Sequence, residues 1–387
     1  MVLELFKRAP VRAPEAKAHA NRPVIAFHGS GRAAWTARDT PSLVRAGFAG
    51  NPVGFRCVKL IAEAASAVPF ALQDGARRYA DHPILSLLAR PNGAQGTTDL
   101  MENLIGQFLL SGDAFLEAVG EGQDGLPAEL HVLRSDRVRV VPGATGWPIA
   151  FEYSVGAKKH RLKVDSICHI KAFHPQDDHY GLSAMQSAAS AVDVHNAASR
   201  WSKSLLDNAA RPSGALVYRG TDGLGGLTDD QFDRLRGELE GYHSGAVNAG
   251  RPMLLEGGLD WKPMGFSPSD MEFQKTKESA AREIALAFGV PPMLLGLPGD
   301  NSYANYQEAN RAFYRLTVLP LLSKVSDAMS CWFHAMSGTE AVLKTDLDAI
   351  PALATEREAQ WRRVASADFL SEDEKRSLLG LPPRVDP

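Results

Sequence analysis

The segment Glu278–Pro320, ESAAREIALAFGVPPMLLGLPGDNSYANYQEANRAFYRLTVLP, limits the possible folds of this chain more than any other part of it. It reads as a helix, an abrupt stop, an exposed loop and a second helix that contains a proline. Ser269, with Glu272 three residues on, offers a capping box for the first helix, which is expected from about Asp270 to Phe288. Gly289 followed by Val290, Pro291 and Pro292 ends that helix, because glycine suits the left-handed position after a helix and proline cannot continue one. Met293, Leu294 and Leu295 read as residues covered by a neighbouring unit. Pro298-Gly299-Asp300-Asn301-Ser302 reads as a polar, exposed tip. A further helix is expected from about Asn305 to Met336, with Phe313, Leu316, Leu322, Val325, Met329, Trp332 and Phe333 on one face. Pro320 must kink that helix or end its first part, since a proline inside a helix removes a hydrogen bond.

The preceding chain alternates helical and extended patterns. Helical spacing runs over Val53–Leu72, stopping at Pro69, and over Leu100–Leu110. Short strands are expected at Phe115–Val119, Leu130–Leu133, Val138–Val141, Phe151–Val155 and Ile167–Ile170. A helical pattern from Ser183 to Ala210 ends at Pro212. A small β-α-β unit follows: Ala215–Tyr218 extended, a helix capped at Thr228-Asp229-Asp230, then Met253–Leu255 and Leu259–Pro263 extended. Helices at Thr355–Ala367 and Ser371–Leu379 close the chain. The class is α+β.

Composition narrows the function. With 44% hydrophobic and 22% charged residues in 387, the chain belongs with folded proteins and can bury a sizeable core. Its longest apolar run, Ile284 to Leu297, is interrupted by Gly289, Pro291 and Pro292 and is too short to span a bilayer. The opening MVLELFKRAP lacks the apolar core of a secretory signal. Cys57, Cys168 and Cys331 are few and scattered, as expected for reduced thiols in a cytoplasm. Charge is uneven. Residues 1–45 carry eight Lys and Arg against three Asp and Glu, and the remainder carries 34 against 42, which together make the net −3. The basic first 45 residues read as a mobile arm with little to pack, able to meet a neighbouring protein or nucleic acid.

Enzyme signatures are absent or incomplete. No G-x-x-x-x-G-K-[ST] occurs, so no P-loop is expected. Gly223-Leu224-Gly225-Gly226 reads as a flexible turn, and His28-Gly29-Ser30-Gly31 lacks the strand–turn–helix setting of an oxyanion loop. His169, His174 and His179 with Asp177 and Asp178 form the best metal candidate, but steps of five scatter the histidines over different faces. The expectation is that no metal or cofactor is bound, that Asp113 stabilises a turn and that His169 lies near a strand end. The rival readings are a soluble metal-dependent hydrolase using His169, His174, Asp178 and His179, and a smaller adaptor protein.

Several word-like motifs occur in one order. The segment Ile284–Gly296 resembles an "IA-x-x-F-G-V-P-P-x-L-L-G" helix end, followed by a "Y-x-N-x-x-x-A" helix start and "T-x-x-P". His82-Pro83 through Arg90-Pro91-Asn92, Gly112-Asp113-Ala114-Phe115, Ile167–Lys171 and Asn248-Ala249-Gly250 add to the pattern, with Asp113 and Phe115 standing where Asn and Tyr are usual. Over roughly residues 50 to 337 the chain resembles the portal (connector) proteins of long-tailed phages, prophages and gene transfer agents. That resemblance implies a flexible arm (1–45), an α/β wing (46–188), a first stem helix (189–210), a clip (211–266), a second stem helix (267–290), a tunnel loop (291–305), a long wing helix (306–337) and a short crown (338–387).

It implies a non-enzymatic ring of twelve at one capsid vertex of a virion, assembled in the host bacterial cytoplasm without a membrane. Its partners would be the major capsid protein, the terminase large subunit, a head–tail adaptor and duplex DNA in sliding contact. Leu297, Gly299, Asp300, Asn301, Ser302 and Tyr303 would face the channel. Asp230, Asp233, Arg234 and Glu238 would dock partners through the clip. Glu272, Lys275, Lys277, Glu278 and Arg282 would form contacts between subunits, with Glu278 and Arg282 able to pair one turn apart. Twelve copies would carry about −36, twelve times −3, which suits a sleeve through which DNA slides better than a static DNA binder.

Overall fold

The computed structural model describes residues 35–75, 77–122, 124–207, 214–218, 230, 233–234, 259–263, 268–299 and 302–383. Thr36 to the C-terminus forms one unit. Its helices are α1 (Thr40–Leu43), α2 (Pro52–Ser66), α3 (Pro83–Ala89), α4 (Thr97–Ser111), α5 (Ala184–Ser187), α6 (Ala189–Asp207), α7 (Pro268–Ala287), α8 (Tyr303–Phe313), α9 (Leu319–Ser337), α10 (Ala354–Ala365) and α11 (Glu372–Leu378). Its strands are β1 (Phe70–Gln73), β2 (Arg78–Tyr79), β3 (Asp113–Val119), β4 (Glu129–Leu133), β5 (Val138–Pro142), β6 (Pro148–Val155), β7 (Lys158–Leu162), β8 (Ile167–Lys171), β9 (Gly214–Tyr218), β10 (Leu259–Pro263) and β11 (Val342–Thr345). They make small antiparallel sheets ordered β11-β1-β2, β4-β3-β8, β5-β6-β7 and β10-β9.

The folded unit begins earlier than the expected boundary at 46. Asp39 caps α1, Leu43 is buried, and the backbone N–H of Thr36 donates to Asp193 Oδ2 at 3.0 Å. Only the part of the basic arm before residue 35 lies outside the described residues. The helix expected to stop at Pro69 ends a turn earlier. Asn51 caps α2 and Pro52 opens it, but the helix stops at Ser66, and Leu72 is a fully buried residue of β1. Strand β11 pairs with β1 from Phe70↔Thr345 to Gln73↔Val342, so the C-terminal segment completes the sheet that begins at residue 70.

The main core is lined by Ile61, Leu104, Ile105, Leu322, Met329 and Phe333. Each such side chain contributes about 1.5–3 kcal/mol by leaving water. A second cluster, Phe115, Leu133, Val138, Val140, Phe151 and Ile167, cements the sheet of β5-β6-β7 to that of β4-β3-β8.

As expected, the long helix is irregular before Pro320, but it does not end there. Residues Tyr314–Val318 form a wider π-turn between α8 and α9, and Pro320 occupies the first turn of α9. There its missing N–H is tolerated, and the widened turn makes room for a ring that would press on the carbonyl four residues back. The extra residue rotates everything upstream of it. The buried series is Phe313, Val318, Leu322, Val325 and Met329, and its first step of five residues is the mark of a π-turn. Leu316, expected on the apolar face, is instead 76% exposed, while Val318 is fully buried.

This register has a direct test by thermal unfolding of the isolated chain. Leu316→Asp should shift stability by no more than about 0.5 kcal/mol, whereas Val318→Asp, which places a charge in the core, should cost several kcal/mol. Equal effects would mean that the helix is not rotated at this point.

Candidate functional site

Helices α6 and α7 pack along each other in opposite directions: Trp201 stacks on Phe273 with ring centroids 4.3 Å apart, while His195 faces Lys277. The polar reading of the first half of α7 therefore overlooked Phe273. The helix begins at Pro268, so Ser269 lies inside its first turn and cannot be its N-cap. Of the residues expected between subunits, Glu272, Lys275 and Arg282 are exposed, and Lys277 and Glu278 are half-buried. The Glu278–Arg282 pair does not form. Arg282 Nη2 donates to the carbonyl oxygen of Pro298 at 2.5 Å, tying α7 to the loop that follows it.

The helix stop is as expected: Gly289 has φ +67°, and its carbonyl accepts from Thr317 Oγ1 at 2.6 Å. A Cβ at Gly289 would lie 2.8 Å from that hydroxyl oxygen, so the position lacks both the backbone freedom and the space for a side chain. Pro292–Leu295 form one short helical turn, with Leu294 and Leu295 partly buried against the core, and Leu297 is half-buried. Gly299 is exposed, whereas Asp300 and Asn301 lie outside the described residues. Ser302 is the N-cap of α8, accepting from Asn305 N–H at 3.2 Å, so the loop ends at 302 and Tyr303 begins the helix, 78% exposed. Residues 302–308 are all exposed. Asp230, Asp233 and Arg234 are helical and exposed, and Glu238, Thr228, Asp229 and Met253–Leu255 lie outside the described residues.

The histidine group does not gather. His169 sits in the middle of β8, not near its end, and its Nε2 meets Asp113 Oδ1 at 2.8 Å. His174 Nδ1 accepts from the Gln176 N–H. Asp177 Oδ1 accepts from His179 and Tyr180 N–H groups, which pulls its pKa below the usual carboxylate value. Lys171 Nζ donates to the backbone oxygen of Asp178. Among the described residues no three His, Cys, Asp or Glu converge as metal ligands. Burial pushes the Cys57 and Cys168 thiols up to about 12, which suppresses the reactive thiolate. Among the described residues no helix is long and apolar enough to cross a membrane.

Asp113 does more than stabilise its own turn. Buried at 4% exposure, it accepts from the Gly181 N–H with both oxygens, at 3.0 and 3.1 Å, and it also holds His169. A Cβ at Gly112 would lie 2.3 Å from the Gly181 oxygen, so the two backbones meet where only glycine fits. No local pattern announces this lock, because its partners are 56 and 68 residues away.

The chain belongs to the phage portal protein family, whose model matches residues 52–380. It is similar to a chain in the neck of an empty gene transfer agent particle, at 66% identity and TM-score 0.76, over 92% of this chain and 96% of the other. It is also similar to a chain in the neck of a native particle computed with C12 symmetry, at 64% identity and TM-score 0.73, over 92% and 97%. An uncharacterized protein of Rickettsia bellii (strain RML369-C) is 41% identical over 340 residues, 86% of this chain and 87% of that one.

Titration of His195 gives a test of the α6–α7 contact. Asn51 Oδ1 accepts from the Val53 and Gly54 N–H groups, so its Nδ2 must donate to His195 Nδ1 at 3.1 Å, which requires a neutral ring. Burial first, then Lys277, lowers the His195 pKa below its ordinary 6.5. Between the folded and unfolded values the unfolded chain binds more protons. The contribution of His195 is therefore complete above about 6.5 and is lost as pH falls from there through the folded value. In His195→Gln the drop in melting temperature from neutral to mildly acidic pH should be smaller than in the parent. An identical drop would place His195 outside that balance.

Proposed function

We propose that this chain is the portal of a phage-like particle: a closed ring at one vertex through which duplex DNA enters and leaves. The observation that carries this reading is the 64–66% identity, along 92% of the chain, to chains seated in the necks of gene transfer agent particles. The C12 symmetry of one of those necks favours a ring of twelve here. Geometry supports it as well. A closed ring needs two different complementary surfaces on each subunit. The single chain leaves the start of α8 bare on all sides and exposes Leu286, Tyr303 and Leu316, each more than three-quarters accessible. In this reading α6 and α7 are stem helices, 211–266 is the clip, 291–302 is the tunnel loop, and the sheets form the wing. The major capsid protein surrounds the ring, and the terminase large subunit and a head–tail adaptor dock on it. The chain carries no chemistry of its own, since hydrolysis resides in the terminase.

Native mass measurement and negative-stain imaging of the purified protein should give rings, of twelve by preference, with a central hole. A strictly monomeric or dimeric protein over a wide concentration range would end the portal reading.

The loop tip has a test of its own. No Lys or Arg occurs in residues 291–305, so the segment cannot clamp phosphates strongly and suits a sliding contact. Deleting residues 299–301 while sparing Ser302, the cap of α8, should leave rings intact and impair packaging or retention of DNA. Asp300→Arg should steepen the salt dependence of DNA association by roughly 0.9 for each added phosphate contact. Normal packaging by both variants would remove this loop from the channel.

A further inference from the structure

The sheet β5-β6-β7 has two unlike faces. Val138, Val140, Phe151, Tyr153 and Leu162 point into the second core cluster. Alternation along a strand then turns Arg139, Glu152, Ser154, Lys159 and Arg161 to the other side, and the register sets them in rows, Arg139↔Glu152↔Arg161 with Ser154↔Lys159 beside them. Arg139, Lys159 and Arg161 are exposed, as are Lys158 and Lys163. Lys159 pairs with Glu152 at 2.9 Å. Among the described residues Arg139, Lys158, Arg161 and Lys163 have no side-chain hydrogen bond or ion pair. Residues 134–165 carry seven Lys and Arg against three Asp and Glu, in a chain that has 42 against 45 overall. The patch is held firmly, because the Val140 N–H donates to Tyr180 Oη at 2.8 Å and the core cluster lies beneath it.

Charges on edge strands also guard against stray pairing, which would account for Lys158 and Lys159. Edge protection does not require Arg139, Lys159 and Arg161 to share one open face with a single carboxylate among them. We propose that this outer face of β5-β6-β7 is a docking surface for the phosphate backbone of duplex DNA, separate from the loop at 291–302. Lys159 and Arg161 stand about 6.8 Å apart along β7. An acidic protein partner is the poorer fit, because the charged face has no apolar anchor of the kind that dominates protein interfaces. The exposed Trp147 and Ile149 lie at the turn end of β5 and β6, where the register shifts, and not within the rows of cations.

The proposal rests on the portal reading only for the presence of DNA, and its test needs no ring. Anisotropy of a labelled random-sequence duplex is measured against salt for the dispersed full-length parent and for R139Q/R161Q/K163Q. The basic N-terminal residues are present in both and cancel. The salt slope should become shallower by roughly 2 to 3 in the triple variant, at about 0.9 for each lost phosphate contact. Arg362→Gln, an exposed cation on α10, should behave as the parent. Should the triple variant lose its melting transition, R161Q alone should still lower the slope by roughly 0.9. A parent-like slope in a folded variant overturns the proposal. So does labelled polyglutamate binding that the variant loses while duplex binding is unchanged, since the face would then receive an acidic protein. Failure to form rings with this salt response intact would sink the portal reading and leave the surface assigned.

Discussion

The extra residue in the long helix is the constraint from which the arrangement of the candidate site follows. Pro320 cannot donate a hydrogen bond, and its ring would strike the carbonyl four residues back in a regular helix. The π-turn at Tyr314–Val318 relieves that conflict without breaking the rod. It then does two things at once. Downstream, it leaves Leu322, Val325, Met329 and Phe333 in the core; upstream, it turns α8 so that only Phe313 of that helix is fully buried. Thr317, inside the turn, reaches Gly289 at the end of α7. Both ends of the loop at 291–302 are therefore set by this one irregularity, the exit through Gly289 and the return through α8.

A second constraint holds the sheets. Asp113 is a buried carboxylate whose oxygens are used by the Gly181 N–H and by His169, and the His169 ring stacks on Phe115 at 4.3 Å between centroids. An isolated buried carboxylate would be costly, so the gathering of its partners is a condition of folding and not an ornament to it. The consequence is a rigid base. Strand β8 is fixed against β3, the segment through Gly181 is fixed against both, and Tyr180 then reaches β5. The basic face is borne on that base and not on a free hairpin.

Most elements were legible in the sequence because they depend on neighbours close along the chain. The strands at 115–119, 130–133, 138–141, 151–155 and 167–170 are short apolar and β-branched runs set apart by turn residues, and the Gly289-Val290-Pro291-Pro292 stop needs nothing beyond backbone chemistry. The failures share a cause. The strand at Phe70–Gln73, just past the expected stop at Pro69, went unread because its partner β11 is far along the chain. Leu316 fits a helical period, and only the local widening before Pro320 moves it outward. Phe273 looked incidental in a polar helix until Trp201, across an insertion, was brought against it. In the candidate site, the end of α7 and the exposed tip could be read, but the Arg282–Pro298 tie and the capping role of Ser302 depend on where the loop turns back.

The distribution of charge is the last thing the fold explains. Net charge predicted weak repulsion of DNA, and an average of that kind hides two opposite surfaces. Residues 291–305 have no cation, whereas the outer face of β5-β6-β7 sets Arg139 and Arg161, which have no side-chain partner among the described residues, beside the paired Lys159. Strand alternation produces the second feature automatically: once Val138, Val140, Phe151 and Leu162 commit one face to the core, Arg139, Lys159 and Arg161 have no choice but the other. In the portal reading the two surfaces answer different demands. A loop that DNA must pass cannot hold phosphates strongly, because many neutralised phosphates make binding tight. A docking face has no such restriction, and the core beneath it supplies the stability that pairing of Arg139 and Arg161 would otherwise give.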